Sequence, residues 1–486
     1  MRKFHLLFLP LLLILSGFVR PVAADDAKAD RENDQGASGS IQGQVVDSSG
    51  AAITAAKVTL SNAVTGFQIN TETDQSGGFK FFTVPFNEYK ISVEAAGFQT
   101  VEQGVDLHSS VPAQVTITLK VAAINEQVSV TAEQTNQVDS DQTSSDTALN
   151  TSMVGKLIGP AQAKGGLEKL VQSAPGIVVD DNSRIHARGS EANVSTVVNG
   201  IPITDNMSAI FSTSIDPKSA SQVEVLTGGI PAEFGDKLGA VVNLTTKSGL
   251  DMPISGEISG GIGSFVTGDM DASFGGHTGK FGWFTAFSGS TSHRYLDPPS
   301  VDNFHNVGRT VSNLTTLDYN PTSNDFFKVT LMFGGSNFFV PNRLDQEIAG
   351  QDQRQHLRSY SESISWHHLF NQTTLADFSF FHRTSTANLN SNPLSNPVVA
   401  FQDRTLTNYG FIGALSYVGH GQTIKTGFQY TRTPINENFS FYPTDPNAFA
   451  PVTTLTGQVV PNPVLQFSAA SPFVFNGRQA GNEVSW

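Results

Sequence analysis

Residues 175–249 carry the strongest structural signal in the chain: PGIVVDDNSRIHARGSEANVSTVVNGIPITDN (175–206) and, after a polar segment, QVEVLTGGIPAEFGDKLGAVVNLTTKSG (222–249). Short β-branched runs alternate there with Gly, Asn and Asp. Asn199-Gly200 lies between two such runs, which is typical of a type I′ hairpin turn, because that turn needs positive φ at both central residues. Further strands are predicted over residues 222–227 and 239–246, with the intervening glycines at tight corners. These features predict a small, compact domain.

A helix is predicted just before this stretch, over residues 161–173. Leu167, Leu170 and Val171 recur there at spacings of three and four residues, and Pro175-Gly176 ends the helix. Together with the short strands, this helix predicts an α+β domain.

The segment from about residue 153 to residue 249 resembles the plug domain of TonB-dependent outer-membrane receptors. One departure is that Thr227 and two glycines stand where the family usually has Arg-Gly-Pro, as in the Oar-like branch, and this weakens any transfer of a siderophore substrate. A soluble β-rich domain with turn glycines is the alternative interpretation. The residues that carry the resemblance are Arg188, Gly189, Asn199, Gly200, Glu224, Gly228, Gly229, Glu233, Phe234, Gly235, Gly239 and Asn243.

Composition excludes several classes of protein. The chain has 486 residues and no cysteine, so it has neither disulfides nor thiolate sites. Its formal net charge is −14, and no basic patch that could bind nucleic-acid phosphates is found. A mean hydropathy of −0.13 argues against a multi-helix membrane protein, but it is compatible with a barrel whose strands alternate in polarity.

The N-terminus predicts export. Residues 1–24 have a basic start, an apolar run and a small-residue cleavage site, as in a secretory signal peptide. A membrane anchor is disfavoured because the apolar run is too short to cross ~30 Å of hydrocarbon. Residues 25–39 are acidic and polar, which predicts a disordered linker.

Residues 40–122 show the alternation and turn spacing of a small β-sandwich. They resemble the carboxypeptidase regulatory-like domain through Gly43-Gln44-Val45-Val46-Asp47, Thr73-Asp74 followed by Gly77-Gly78-Phe79, and Tyr89 with Gly97-Phe98. The same fold is called starch-binding-like, so carbohydrate (glycan) binding is one implied role. An inert spacer is the other.

A TonB-box-like segment follows within the 123–152 linker. Such a segment pairs with a TonB-type energy-transducing protein by adding a strand to an exposed sheet edge. The alternative is that it is the last strand of the preceding sandwich. The residues predicted to bind this partner are Glu126, Gln127, Val128, Ser129, Val130, Thr131 and Ala132.

Residues 250–486 predict part of an antiparallel transmembrane β-barrel. Ile424 and Phe428 would face lipid and Lys425 the lumen, and Leu331 opposes Thr330 in the same way. Long polar connections are predicted over residues 295–306, 338–358, 389–404 and 434–480. About eight to ten strands are expected, fewer than the 22 of plugged transporters, so the sequence predicts a truncated receptor or one whose remaining strands are encoded separately.

Together these features predict a mainly β protein with an N-terminal β-sandwich (40–122), a small α+β plug domain (153–249) and a partial barrel (250–486). Catalytic and metal-ligand motifs are not found, and adjacent His367 and His368 would point to opposite faces of a strand. The expectation is therefore neither an enzyme nor a cofactor protein. The resemblance implies an outer-membrane receptor with its sandwich in the periplasm, contacting membrane lipid, a TonB-type partner and an unidentified small-molecule, peptide or glycan substrate. The alternative is an outer-membrane binding or structural protein without active transport.

Overall fold

The computed structural model describes residues 38–62, 65, 67–107, 111–121, 145–149, 166–180, 184–189, 194–203, 215–235, 239–419 and 422–486. Most of these residues lie in strands, and the main sheets fall into three groups along the chain. None of the helices in these ranges is both long and apolar enough to cross a membrane.

The first group is a β-sandwich with one three-stranded sheet, in the order β4-β1-β7, and one four-stranded sheet, in the order β3-β2-β5-β6. Strand alternation turns Phe79 and Phe81 into the core between the sheets, opposite Ile91 and Val93. The strands are β1 (Ser38–Asp47), β2 (Lys57–Asn62), β3 (Phe67–Glu72), β4 (Gly78–Pro85), β5 (Asn87–Glu94), β6 (Val101–Leu107) and β7 (Ala113–Leu119).

The second group is the α+β domain, whose five-stranded sheet has the order β12-β11-β14-β13-β8 beside a β9–β10 hairpin. The predicted turn is confirmed: φ is 50° at Asn199 and 80° at Gly200, and Val198 pairs with Ile201. The predicted helix is described over Gly166–Val171, and residues 161–165 lie outside the described ranges. The elements are β8 (Ser145–Leu149), α1 (Gly166–Val171), β9 (Ile177–Val179), β10 (Ile185–Ala187), β11 (Val194–Val198), β12 (Ile201–Pro202), β13 (Ala220–Gly228) and β14 (Ala240–Thr246), with 3-10 turns at Pro217–Ser219, Ala232–Phe234 and Gly249–Asp251.

Strand β8 differs from the sequence expectation, which placed residues 123–152 in a linker. Ser145–Leu149 pairs antiparallel with β13 and forms an edge of the domain's sheet. An edge strand of five residues is held by backbone hydrogen bonds to one neighbour. It can therefore form without a long alternating apolar pattern, which is the signal by which strands are recognised in a sequence. Leu149 of this strand reaches the core.

The third group is a single ten-stranded sheet, which agrees with the expected number of barrel strands. All neighbours in its order, β15 to β23 and then β26, pair antiparallel. The strands of the sheet are β15 (Ser255–Gly263), β16 (Thr267–Thr278), β17 (Phe281–Ser292), β18 (Gly308–Tyr319), β19 (Asp325–Phe339), β20 (Gln353–Asn371), β21 (Thr374–Ser391), β22 (Val398–Gly419), β23 (Gln422–Pro443) and β26 (Phe473–Ser485). Its connections contain α2 (Leu344–Ala349), the separate pair β24 (Val452–Thr453) and β25 (Val459–Val460), and 3-10 turns at Pro446–Ala448 and Pro463–Gln466.

Three of the predicted long loops are wrong in extent. Strands β20 and β21 have 19 and 18 residues, and β22 and β23 have 22 each, so they run well into the segments predicted as loops. In β20 and β21 backbone pairing continues past the point where apolar alternation stops, because ladder hydrogen bonds do not require apolar side chains. Strands β22 and β23 instead have further apolar residues there, such as Val399 and Phe441. The connection over residues 295–306 is as predicted, between β17 and β18.

The predicted two faces of this sheet are confirmed. Phe378 and Phe380 are 47% and 54% exposed on the outer face, as are Ile424 and Phe428 at 53% and 45%. On the inner face Lys328 and Thr330 are buried, because the α+β domain packs against it. Short connections join the strands at one end of the sheet, such as residues 320–324 and 372–373. At the other end the connections are longer, apart from residues 264–266 between β15 and β16.

Candidate functional site

The candidate site is the contact between the α+β domain and the inner face of the ten-stranded sheet. One apolar cluster joins the two: Leu314 of β18 and Met332 of β19 pack with Leu170, Val225 and Val242 of the domain. Around this cluster the contact is made by polar and charged side chains.

Asn199 connects the hairpin turn to the sheet. Its amide nitrogen donates to the Thr330 hydroxyl at 3.1 Å, and its amide oxygen accepts the Thr246 backbone N–H at 3.0 Å. The turn residue is therefore also an anchor between the domain and β19.

Lys218 is a second anchor. Its ammonium group donates to the Ser259 hydroxyl at 2.6 Å and lies 3.8 Å from carboxylate oxygens of Glu257 and Asp271. The Asp216 carboxylate positions Lys218 by accepting its backbone N–H at 2.9 Å. The sequence gives no signal for Lys218, because a single lysine in a polar segment resembles any solvated charge.

Glu233 makes the third anchor. Its carboxylate accepts a hydrogen bond of 2.7 Å from the Lys425 ammonium group of β23, and both side chains are less than a third exposed. The sequence singled out Glu233 but not its partner, which lies 192 residues further along the chain.

The segment that joins the domain to the sheet contains buried charges. Ser248 donates to the Asp318 carboxylate at 2.6 Å, and Lys328 forms an ion pair with the same carboxylate at 2.8 Å. The Lys328 and Asp318 side chains are 4% and 0% exposed. Burial raises the pKa of Asp251 to about 8, and the charge of Asp318 acts in the same direction.

The other predicted plug residues shape the domain. Arg188 and Gly189 form a turn after β10 with φ of 50° and 84°. Glu224 and Asn243 are opposite each other on β13 and β14, where the Asn243 amide donates to the Glu224 carboxylate at 3.2 Å.

The remaining plug residues lie around the Ala232–Phe234 turn. Phe234 packs with Val197, Leu226 and Val241 in a small cluster of its own. Gly228 ends β13 and Gly229 follows it with a φ of 58°, Gly235 follows the 3-10 turn, and Gly239 precedes β14. These motif residues therefore build the corners of the domain.

Several other predictions concern single residues. Residues 126–132 lie outside the described part of the chain, as do Asp236 and Lys237. Arg184 pairs with Asp180 inside the α+β domain. His367 and His368 contact different carboxylates, Asp377 and Asp325. In the described ranges no three metal-ligating side chains lie close enough together to hold an ion.

Comparison with protein families finds two matches. Residues 40–120 match the carboxypeptidase regulatory-like domain, and residues 128–241 match the TonB-dependent receptor plug domain. The second match includes β8, which lies before the boundary predicted at residue 153.

Comparison with individual proteins finds transporters. The TonB-dependent transporter Oar of Myxococcus xanthus is 24% identical over 184 residues, which are 36% of this chain and 17% of that protein. The unliganded ferric citrate transporter FecA superposes with a TM-score of 0.53 at 14% identity, covering 71% of this chain and 54% of that one. This chain thus spans about a sixth of the curated relative and about half of the solved structure, and the structural likeness concerns the fold alone.

Proposed function

We propose, on the premise that this chain is an outer-membrane protein of the TonB-dependent receptor type, that it takes up a substrate in a step driven by a TonB-type energy-transducing protein. In this proposal the chain performs no chemistry. Substrate binds on the side of the long connections, and the plug moves when the partner pulls on the segment before it. The sandwich lies in the periplasm, at the opposite end.

The observation that carries the proposal is that separate polar anchors surround the one apolar cluster through which the plug contacts the inner face of the sheet. Asn199, Lys218 and Glu233 each contact a different strand, namely β19, β15 and β23. A permanent domain contact would be expected to be larger and more apolar. Hydrogen bonds and ion pairs can be exchanged for water, so a contact of this kind suits a plug that moves.

The partner is proposed to bind residues 126–132 by strand addition. Backbone hydrogen bonds would give the affinity, and the alternating side chains of Val128 and Val130 against Ser129 and Thr131 would give the specificity. The segment precedes β8, the edge strand of the plug sheet, so a pull on it would act directly on the plug.

The test is cross-linking between this segment and the partner in the periplasm. Val128→Pro removes a backbone donor and should abolish strand addition, with at least a tenfold loss of cross-linked product. Val138→Pro is the matched control, because it makes the same substitution in the same linker outside residues 126–132. Equal cross-linking in both variants would refute the assignment of the partner segment.

A further inference from the structure

The outer face of strand β4 in the sandwich contacts the short-connection end of the sheet. Alternation along β4 turns Phe79 and Phe81 into the sandwich core. Lys80 and Phe82 therefore point the other way, towards the connection between β18 and β19. A phenylalanine on the outer face of a small sandwich offers a large apolar surface that a neighbouring unit can cover.

That partner is the rim of the sheet. The Phe82 ring stacks on the ring of Phe326 with centroids 5.6 Å apart and planes at 16°. The Lys80 ammonium group donates to the Ser323 carbonyl at 3.0 Å and lies 4.9 Å from the Phe82 ring centroid. The Phe82 backbone N–H donates to the Asp251 carboxylate at 3.3 Å.

A second contact lies at neighbouring short connections. Val111 of the sandwich is 7% exposed and packs with Leu369 and Leu375, which flank the β20–β21 connection, and with Val418 of β22. Two separate points thus fix the orientation of the sandwich against the rim. Both points belong to the end of the sheet with the short connections.

The sandwich also lies next to an anchor of the plug. A single cavity is lined by Lys80 and Phe82 of the sandwich, by Phe326 and Lys328 of the sheet, and by Asn199 of the plug. Displacement of the plug towards this end would therefore meet the docked sandwich.

The linker connects to both units. It leaves the sandwich after β7 and enters the plug at β8, so a pull on residues 122–144 acts on the sandwich and the plug together. Among the described residues, the side-chain contacts comprise one aromatic stack, one small apolar cluster, a hydrogen bond to the rim and one to Asp251. Strand β4 also lies next to β14 of the plug and to the Gly249–Asp251 turn. Domain contacts of this size permit relative motion.

The geometry points to the sandwich as a latch: docked through Phe82 and Val111, it closes the short-connection end of the sheet beneath the plug and leaves the rim before the plug moves. The docking half of this inference depends only on the contacts described above. The release half rests on the proposed energy-driven function.

Docking can be measured with a single reporter thiol, because the chain has no cysteine of its own. Leu375→Cys places the thiol beneath Val111, at a side chain that is 5% exposed. The rate of labelling by a membrane-impermeant maleimide is measured on the full chain in outer-membrane vesicles opened to the periplasmic face. Adding Phe82→Ala should raise that rate about three- to tenfold, since it removes the stacked pair.

Matched variants separate undocking from damage to the sandwich. Phe82→Tyr keeps a ring for stacking and should label at the parent rate. Lys80→Ala should raise the rate, whereas Lys90→Ala should not, because Lys90 pairs with Glu102 within the sandwich at 3.0 Å. If Phe82→Ala labels no faster than Phe82→Tyr, the docked latch is refuted.

Release is tested in cells that contain or lack the energy-transducing partner. The reporter should be labelled faster when the partner is present. In a second experiment, a short bifunctional thiol reagent joins the two cysteines of the Phe82→Cys/Phe326→Cys variant and so holds the sandwich on the rim. This cross-link should abolish the partner-dependent increase in hydrogen exchange of the plug backbone. If the partner still cross-links to residues 126–132 but reporter labelling is the same with and without it, the release half is wrong. If the partner does not cross-link to residues 126–132 at all, the proposed function is wrong. The labelling rate of the Phe82→Ala variant still decides whether the sandwich docks on the rim.

Discussion

Asn199 and Gly200 show how one pair of residues combines local and distant roles. Their turn could be predicted from the sequence, because positive φ at two adjacent positions favours Asn-Gly over almost any other pair. The bond from Asn199 to Thr330 could not, because it joins residues 131 positions apart and depends on how the plug lies in the sheet. Lys218 and Lys425 escaped prediction for the same reason.

Gly200→Val tests the turn by backbone strain alone. Gly200 has a φ of 80°, and no described atom lies within 4 Å of the position that a Cβ would take, so the cost comes from forcing a β-branched residue into the left-handed region. We expect the β11–β12 hairpin to lose about 1–3 kcal/mol of opening free energy. Hydrogen exchange of the peptide covering residues 194–203 would then be about five to a hundred times faster.

Gly104→Val is the control for that substitution. Gly104 lies in β6 with equally open space around its Cβ position and without a positive φ. Valine should be neutral or slightly stabilising there because of its β propensity. If Gly104→Val accelerated hydrogen exchange around its own site as much as Gly200→Val does around the hairpin, positive φ at Gly200 would not be the cause of the effect.

Among the elements, β18 and β19 carry a buried ion pair at their short-connection end. Asp318 and Lys328 are direct cross-strand neighbours, and Ser248 of the segment after the plug donates to the same Asp318 carboxylate. Lys328→Met should cost about 3–5 kcal/mol, because it leaves a buried carboxylate without its counter-charge. Denaturant unfolding in detergent, followed by tryptophan fluorescence of the sheet, would measure the loss.

The double variant Lys328→Met/Asp318→Asn separates lost packing from the uncompensated charge. Asparagine is neutral and can still accept from Ser248, so most of the lost stability should return. A double variant as unstable as Lys328→Met alone would mean that the lysine stem, rather than the charge pair, supports this junction.

Elements were predictable where side chains alternate and unpredictable where only the backbone pairs. The strands of the sandwich and the outer face of the sheet carry enough alternating apolar residues to be recognised. Strand β8 and the outer halves of β20 and β21 do not, since the side chains there are mostly polar and backbone pairing provides most of the order. This explains why the predicted loops were too long and the predicted linker contained a strand.

At the scale of the whole molecule, the sequence predicted a sandwich, a plug and a partial barrel but not their contacts. The docking of Phe82 on Phe326 depends on the relative placement of two units that are far apart in the chain. A sequence does offer one hint, namely an outward-facing phenylalanine in a strand whose core is already filled by its alternate neighbours.

Docking of the sandwich is expected to depend on pH through Asp251, which lies in the turn between the plug and the sheet and accepts a hydrogen bond from Phe82 of the sandwich. Burial raises the pKa of Asp251 to about 8 from an ordinary value of 3.8, so the carboxyl is protonated when the sandwich is docked. The contribution of Asp251 to the stability of the docked state is therefore fully present below about pH 4 and is lost as pH rises through 8. Among the charged groups that act on it, Asp318 raises this pKa and Lys328 lowers it.

Labelling of the Leu375→Cys reporter should accordingly become severalfold faster between pH 5 and pH 7.5, after correction for the reactivity of a free thiol. The pH range of the experiment ends at 7.5 because burial lowers the pKa of Lys80 to about 8. Above that pH, loss of the Lys80 proton would favour docking and oppose the effect of Asp251. Asp251→Asn resembles the protonated carboxyl and should remove the slope. A slope that persists in this variant would exclude Asp251 as its source.

The polar lining of the sheet has a thermal consequence. Ser288, Ser312 and Thr316 are almost completely buried on the inner face, beside the apolar Leu314 and Met332. Hydration of polar surface lowers the heat capacity and hydration of apolar surface raises it. When the plug leaves this mixed face and water enters, the polar and apolar contributions to the heat-capacity change would therefore largely cancel. The enthalpy of plug withdrawal should therefore vary little with temperature, whereas melting of the plug's own apolar core would give the steep dependence of ordinary unfolding.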